Sequence, residues 1–402
     1  MTRPGRALDW VVVGAGLSGA TIAERLASQL GQRVLVVERR DHIAGNAHDT
    51  EDRSGIRVHR YGAHIFHTKS DEVWGYLSRF TDWLPYLHRV RAFVDGQLLP
   101  MPCNLSTLEQ LLGPRAIAEL EAIASGAFPG QPKVPVLTLM AHPEAAVRGV
   151  GEVVYEKLFL RYTLKQWGWR PEDLDRSVTA RVPVLFSRDD RYFADSHQGI
   201  PSDGYTAMVA RMLEHPNISV EICRDHRTLS DTLRALPTVY TGPVDEFFAH
   251  RFGPLPYRSL RFEHQTLAVD RAQPVAVVNY PGNEPYTRVI EHAHFADQHR
   301  GATVLTYEFP EPHVPGANEP YYPVPRSENH RLYARYAAEA KRLTGRVLFV
   351  GRLAEYRYYD MDQAVAHALA LFNHNLGAGR ARQRRTLSPA RSRQPAHLPS
   401  FA

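Results

Sequence analysis

The chain of 402 residues has only two cysteines, Cys103 and Cys223, far apart in the sequence. A disulfide framework is thereby excluded, and buried free thiols in a reducing cytoplasm are expected. No apolar run approaches the ~20 residues that cross a bilayer, so no integral membrane segment is expected. Arg3 and Arg6 precede an apolar stretch of only a few residues, too short for a secretory leader. Acidic residues are missing beyond Gly379, where six arginines stand. Those six account for the net charge of +5 and leave a body near −1. A near-neutral body argues against nucleic acid as a partner. Residues 377–402, rich in Pro, Ser and Gln with few apolar side chains, read as a disordered basic tail. The chain as a whole is of ordinary globular composition, 44% apolar and 23% charged, and long enough for two or three domains.

What the chain does have is a dinucleotide-type opening. Trp10-Val-Val-Val13 runs into Gly14-Ala-Gly-Leu-Ser-Gly19, a helical stretch follows, and the next apolar run ends at Glu38. Gly14 permits the tight turn, Gly16 lets backbone approach a pyrophosphate, and Gly19 lets the helix pack on the strand. The helix N-terminus, with Ser18 in its first turn, offers N–H groups and partial positive charge to phosphates. Glu38 stands where a carboxylate bonds a ribose diol. Strand, glycine turn, helix, strand and acid in register predict a Rossmann-type dinucleotide site.

Ala20, Ile22, Ala23, Leu26, Ala27 and Leu30 give the first helix one apolar face. Thr238–Gly242 and Arg346–Gly351 read as further strands of the same sheet, with a helix near 361–376. A sheet drawn from the beginning, middle and end of the chain implies inserted domains. Residues 106–166 have helical texture, while 86–100, 178–200 and 255–310 read as antiparallel strands. Arg39-Arg-Asp-His-Ile-Ala-Gly-Asn46 is the kind of loop that lies over the ribose and pyrophosphate of a flavin dinucleotide. His64 and His67 have HxxH spacing. Without an accompanying Cys or acid cluster they read as core or flavin-edge histidines, and no metal is expected.

The longer motifs are more specific. They include Tyr61-Gly-Ala-His-Ile-Phe-His-Thr68, Tyr162-Thr163 with Lys165-Gln-Trp-Gly168, Arg181-Val-Pro-Val184, Arg191-Tyr-Phe-Ala-Asp195 and Gln198-Gly-Ile-Pro201. Tyr286-Thr-Arg-Val-Ile-Glu-His292, Glu319-Pro-Tyr-Tyr-Pro-Val324 and Gly351-Arg-Leu-Ala-Glu-Tyr-Arg-Tyr-Tyr-Asp-Met361 follow. In content, order and spacing the chain resembles the UDP-galactopyranose mutases, up to about residue 376.

That resemblance implies an α/β fold: a Rossmann-like FAD-binding domain with an inserted helical domain and an antiparallel β-sheet domain. The FAD-binding parts would be 1–85, 201–248 and 325–376. The sheet would take 86–103, 171–200 and 249–324, and the helical insert with its uridine site 104–170. The implied activity is interconversion of UDP-galactopyranose and UDP-galactofuranose through a reduced-flavin N5–sugar adduct, without net redox change. NADPH or NADH would be the external reductant, and a homodimer is a possible assembly.

By the same resemblance, Arg181 and Arg288 hold the diphosphate, and Tyr192, Tyr322 and Tyr358 reach the same phosphates. Such a leaving group needs fixed positive charge and donors, because its negative charge grows as the glycosidic bond breaks. Phe159 and Tyr162 would sandwich uracil, Trp167 would wall the sugar, and Glu308 would lie near it. Thr163, Asn279 and Asp360 are further substrate-side positions, and His64 sits at the reaction centre. Ser18, Arg39, Asn46, Arg352 and Met361 join the glycines and Glu38 on the flavin side.

Leu164, Leu185, Ala44 and His88 depart from residues common in the family. These changes spare the flavin and diphosphate motifs and leave the sugar open, so the same ring chemistry on another nucleotide sugar stands as one alternative. An FAD oxidoreductase of the amine-oxidase or carotenoid-desaturase type is another, as is a non-catalytic nucleotide-sugar binder. The oxidoreductase would not need the diphosphate clamp of Arg181, Arg288 and the tyrosines, and intact arginine and flavin motifs weigh against the binder.

Overall fold

A computed structural model of the chain describes residues 7–175, 178 and 183–377. The tail beyond 377 and Arg181 lie outside the described residues. Five parallel strands form the nucleotide-binding sheet, in the order Ile218–Glu221, Val34–Val37, Trp10–Val13, Thr238–Tyr240, Val347–Phe349. All four residues of Val34–Val37 are buried, the continuous apolar run of a strand covered on both faces. The helix Leu17–Leu30 covers one face and stops at Gly31, whose φ of 67° is a left-handed cap. The last helix, Met361–Leu371, packs beside it. Leu229, Leu233 and Leu236 cover the opposite face over Val11, Leu35 and Val37.

The strands expected at Thr238–Gly242 and Arg346–Gly351 are therefore in this sheet. Ile218–Glu221 is an addition, because its half-exposed edge position leaves no strong apolar signature.

The second sheet has seven strands, in the order Tyr322–Pro323, Tyr257–Leu267, Thr303–Pro312, Arg288–Glu291, Val277–Asn279, Val90–Val94, Gln97–Met101. Two features differ from the sequence reading. The sheet is mixed, since Val277–Asn279 runs parallel to Val90–Val94. These two strands come from distant parts of the chain, so no hairpin forces them antiparallel. The described residues of 171–200 also contribute no strand to it. Pro183–Leu185 pairs with Lys133–Pro135, and His197–Pro201 lies between Phe66–Thr68 and Trp83–Pro85. Pro183 opposite Pro135 removes two backbone donors, so that ribbon cannot extend into a larger sheet. A bridge from Arg89 to Arg191 ties the segment to the large sheet.

The helical insert packs Leu108, Ile117, Leu120, Val147, Val150 and Val154 into a core it shares with Val90, Ala92, Leu99, Val277 and Ile290 of the large sheet. Its third long stretch, Ala145–Val154, passes through a π-helical turn at Tyr155–Leu160 into Arg161–Trp167. The wider turn rephases the helix just before Tyr162 and Trp167. Among the described residues no helix is long and apolar enough to cross a membrane.

Candidate active site

The glycine loop opens a cleft of about 1210 Å³, counting its mouth, at the ends of the parallel strands after Val13, Val37 and Tyr240, with His64, Tyr321 and Arg352 also lining it. Gly14 has φ of +99°, and a Cβ there would meet Thr241 Oγ1. Gly16 faces the Cα of Gly45, so two backbones without side chains form the floor. A Cβ on Gly19 would lie 1.9 Å from the Gly14 carbonyl oxygen. Ser18 donates to the Ala364 carbonyl at 3.3 Å and ties the first helix to the last. Glu38 accepts from the backbone N–H of Ala15 at 2.9 Å and of Arg40 at 3.0 Å. Its carboxylate therefore sits at the end of the second strand, facing the loop. Arg39 pairs with Glu319 at 2.7 Å and Glu246 at 3.4 Å. Arg40 bonds Asn46 at 2.9 Å and Glu319 at 3.0 Å. Arg352, Asp360 and Met361 line the far wall. A carboxylate at the ribose position, a helix N-terminus on bare backbone, and arginines at the pyrophosphate position fit a flavin dinucleotide.

His64 faces the same cleft. Its Nδ1 bonds the Gly62 carbonyl at 2.8 Å, so that nitrogen carries the proton and Nε2 is the acceptor. The His64 backbone N–H donates to His59 Nδ1, and the His59 backbone N–H to His292 Nδ1. His67 takes another course, against Asp195 at 2.6 Å. The two histidines of the HxxH spacing thus have separate partners.

Burial holds His59 and His88 at about 3 and His64 at about 4, and drives His292 well below the ordinary histidine value. The unfolded chain takes up these protons near pH 6.5, and the folded chain only well below that, near pH 3–4 for His59, His88 and His64. The stability they contribute is complete above about pH 6.5 and is lost as pH falls toward 4. At pH 5 these four rings are expected to contribute about four protons to the uptake on unfolding, and His48, held at about 4 by burial, adds nearly one more. Calorimetry in buffers of different ionisation enthalpy measures that uptake. A melting temperature flat from pH 7 to pH 4 would contradict it.

The second cluster lies where the insert meets the large sheet. Arg288 and Glu308 face each other in register on neighbouring strands, with Nε 3.3 Å from Oε1. Arg288 Nη2 donates to the Tyr162 hydroxyl at 2.6 Å. Glu308 is 2% exposed and accepts from Thr287 Oγ1 at 3.2 Å. Burial alone would weaken the Arg288 charge, but Glu308 and the phenols of Tyr162, Tyr322 and Tyr192 outweigh it and hold the guanidinium charged. Burial pushes the Tyr162 phenol up to about 12, and burial with Tyr358 and Glu308 raises Tyr322. Both phenols stay protonated donors at neutral pH. Trp167 is buried with Leu174 and Val178, its ring 6.0 Å from Tyr322 and 5.8 Å from Tyr358. Arg352 lies 5.5 Å from the Tyr322 ring and 5.6 Å from that of Tyr358. One cation thus joins the dinucleotide cleft to the aromatic cluster.

The remaining sequence-derived positions fall nearby. Tyr192, 41% exposed, stands edge-on to buried His88, which faces Arg288. Asn279 pairs in register with Arg288. Thr163 is buried on the Tyr162 helix. Phe159 packs into the core of the insert, its ring beside Tyr155.

Sequence reasoning alone does not single out Lys165 and Arg258. Lys165 donates to the carbonyls of Tyr280, Glu284 and Tyr286, and burial lowers its ammonium to about 8. Arg258 donates to the carbonyls of Gln166 and Lys165. Together they fix the helix end that carries Trp167. The one signal in the sequence is a lysine and an arginine at otherwise apolar positions. Nor does the sequence show that Glu319 bridges Arg39 and Arg40.

Residues 157–358 match the family described as UDP-galactopyranose mutase, and residues 12–80 an NAD(P)-binding Rossmann-like domain. A probable UDP-galactopyranose mutase of Klebsiella pneumoniae is 40% identical over 365 residues, 89% of this chain and 92% of that one. A dTDP-fucopyranose mutase of Escherichia coli is 36% identical over 372 residues, 89% of this chain and 96% of that one. The solved structure of a reduced UDP-galactopyranose mutase superposes with a TM-score of 0.70 at 16% identity, covering 93% of this chain and 95% of that one. A putative protoporphyrinogen oxidase from Exiguobacterium follows at 0.61 and 12%, covering 92% and 98%. At such identities the structural likeness speaks for the fold, which oxidases share. Sequence identity of this extent, together with the matched motifs, decides the family: the chain belongs to the UDP-galactopyranose mutases.

Proposed function

We propose that this chain binds FAD and interconverts the pyranose and furanose forms of UDP-galactose, with the flavin kept reduced by NADPH or NADH. The observation that carries the reading is the Arg288–Glu308–Tyr162 cluster, joined through Arg352 to a cleft of dinucleotide shape. When bound in reduced form, the flavin supplies a nucleophile for the anomeric carbon.

The protein's part is electrostatic and spatial. Arg288, with Arg181, neutralises the diphosphate as its bond to the sugar breaks, and holds it for return. Tyr192, Tyr322 and Tyr358 donate to its oxygens, and Tyr162, bonded to Arg288, stands against the uracil. Glu308 fixes the Arg288 fork, and Trp167 keeps water from the reacting carbon. Arg352 and the first helix hold the pyrophosphate of the cofactor, and Glu38 its ribose. The work is that of a mutase: the residues clamp a leaving group and return it.

The E. coli dTDP-fucopyranose mutase, matched over a similar span, supports a second reading with the same chemistry on another nucleotide sugar. His88, buried beside Arg288, is the departure placed to read that sugar. The test is anaerobic product analysis of the dithionite-reduced protein with UDP-galactofuranose and dTDP-fucopyranose. Ring conversion of the first at the higher kcat/KM is expected. Preference for the second would establish the alternative. A colourless protein that takes up no FAD, or one equivalent of peroxide per turnover in air, would overturn both.

A further inference from the structure

Arg352 stands between the cleft and the tyrosines, and something must aim it. It leaves the last strand of the parallel sheet just after Gly351, whose φ of +109° turns the chain sharply. Its Nε and Nη2 both donate to the Tyr359 carbonyl, at 3.1 and 2.7 Å. That carbonyl is therefore the stop that sets the guanidinium plane.

Tyr359 is held in turn by a group outside the site. Its hydroxyl donates to Glu355 Oε2 at 2.6 Å. The same oxygen accepts from the Gly351 backbone N–H at 2.9 Å. The other oxygen, Oε1, accepts from His367 Nδ1 on the last helix at 3.0 Å. One carboxylate thus ties together the residue before Arg352, the residue that holds Arg352, and the helix whose first turn lines the cleft. Burial and Glu355 both raise the Tyr359 phenol, so it stays a donor at neutral pH.

We propose that Glu355 is a positioning residue: it acts through Tyr359 and Gly351 to orient Arg352 toward the cofactor pyrophosphate. The proposal rests on the reading of the cleft as the flavin site. Glu355 itself does not line that cleft, whereas Gly351, Arg352 and Met361 do, so an effect on the cofactor must pass through a neighbour, and the Arg352→Ala background decides whether that neighbour is Arg352.

The test titrates apoprotein with FAD and follows protein fluorescence. Glu355→Ala is expected to weaken binding about 10- to 100-fold, the scale of one charge-assisted hydrogen bond. Glu355→Gln is expected to recover most of it, because the amide oxygen still accepts from Gly351 and Tyr359. Tyr359→Phe removes one link of the chain and gives a smaller loss, which keeps the test open should Glu355→Ala not fold. In an Arg352→Ala background, Glu355→Ala is expected to cost little more, since groups acting in series are non-additive. Wild-type affinity in Glu355→Ala, or its full loss repeated without Arg352, would overturn the proposal while leaving the flavin site intact. A wild-type chain that binds no FAD would overturn both.

Discussion

Arg288→Ala is expected to lower kcat by about 10²- to 10³-fold, the cost of losing one donor aimed at growing negative charge. The same change leaves Glu308, 2% exposed, without its facing cation, so a fall in melting temperature accompanies it. Arg288→Lys separates the two effects. A lysine restores a positive charge opposite Glu308 and with it the stability, but it cannot bridge two phosphate oxygens in a planar fork. Wild-type melting with a rate still depressed at least tenfold is the expected result for lysine. Steady-state rates and thermal melts on the two variants decide it. Full activity in Arg288→Lys would place the diphosphate elsewhere.

Gly19→Ala is expected to abolish FAD binding and to destabilise the fold by about 3 kcal/mol or more. The added Cβ would lie 1.9 Å from the Gly14 carbonyl oxygen and 3.3 Å from Val12 Cγ1. Overpacking normally costs ~1–3 kcal/mol, and here the obstacle is backbone that cannot rotate away. The turn must open, which moves both the helix N-terminus and Gly16. Gly31→Ala is the control, because nothing lies within 4 Å of a Cβ there and its cost is only the left-handed φ of 67°, about 1–2 kcal/mol. Melting temperature and FAD titration distinguish the two. Gly19→Ala behaving like Gly31→Ala would show that the close approach is relieved by motion of the helix.

How much of this was legible in the sequence depended on separation along the chain. The dinucleotide unit from Gly14 to Glu38 is one strand–helix–strand, so its geometry follows from local spacing. The Arg288–Glu308 pair depends instead on the register of two strands joined by a 3₁₀ segment, His292–Asp297, which residue types do not specify. Tyr162 reaches Arg288 from another domain, after a π-helical turn that no helical period predicts. For these the family resemblance named the residues one by one, but neither the Arg288–Glu308 pair nor the Arg288–Tyr162 bond. Pro183–Leu185 and His197–Pro201 have strand texture, yet texture does not say which sheet a strand joins. Glu355 was hidden for a different reason. Its partners Gly351 and Tyr359 are within four residues, but a carboxylate turned back on its own loop looks in sequence like any surface glutamate.

The discontinuous parallel sheet bears on how the protein is made. Val11 pairs with Leu35 early, but its other neighbour, Thr238, is far downstream, and Thr238 in turn waits for Val347. During synthesis the first strand and helix emerge with one apolar flank uncovered, and the helical insert too waits for Val277 and Ile290 to complete its core. The cofactor cleft closes only when the strand before Arg352 has been added. FAD uptake is therefore expected only once residues up to 364 have joined the fold, and truncation before residue 347 is expected to leave an apolar sheet edge open to aggregation.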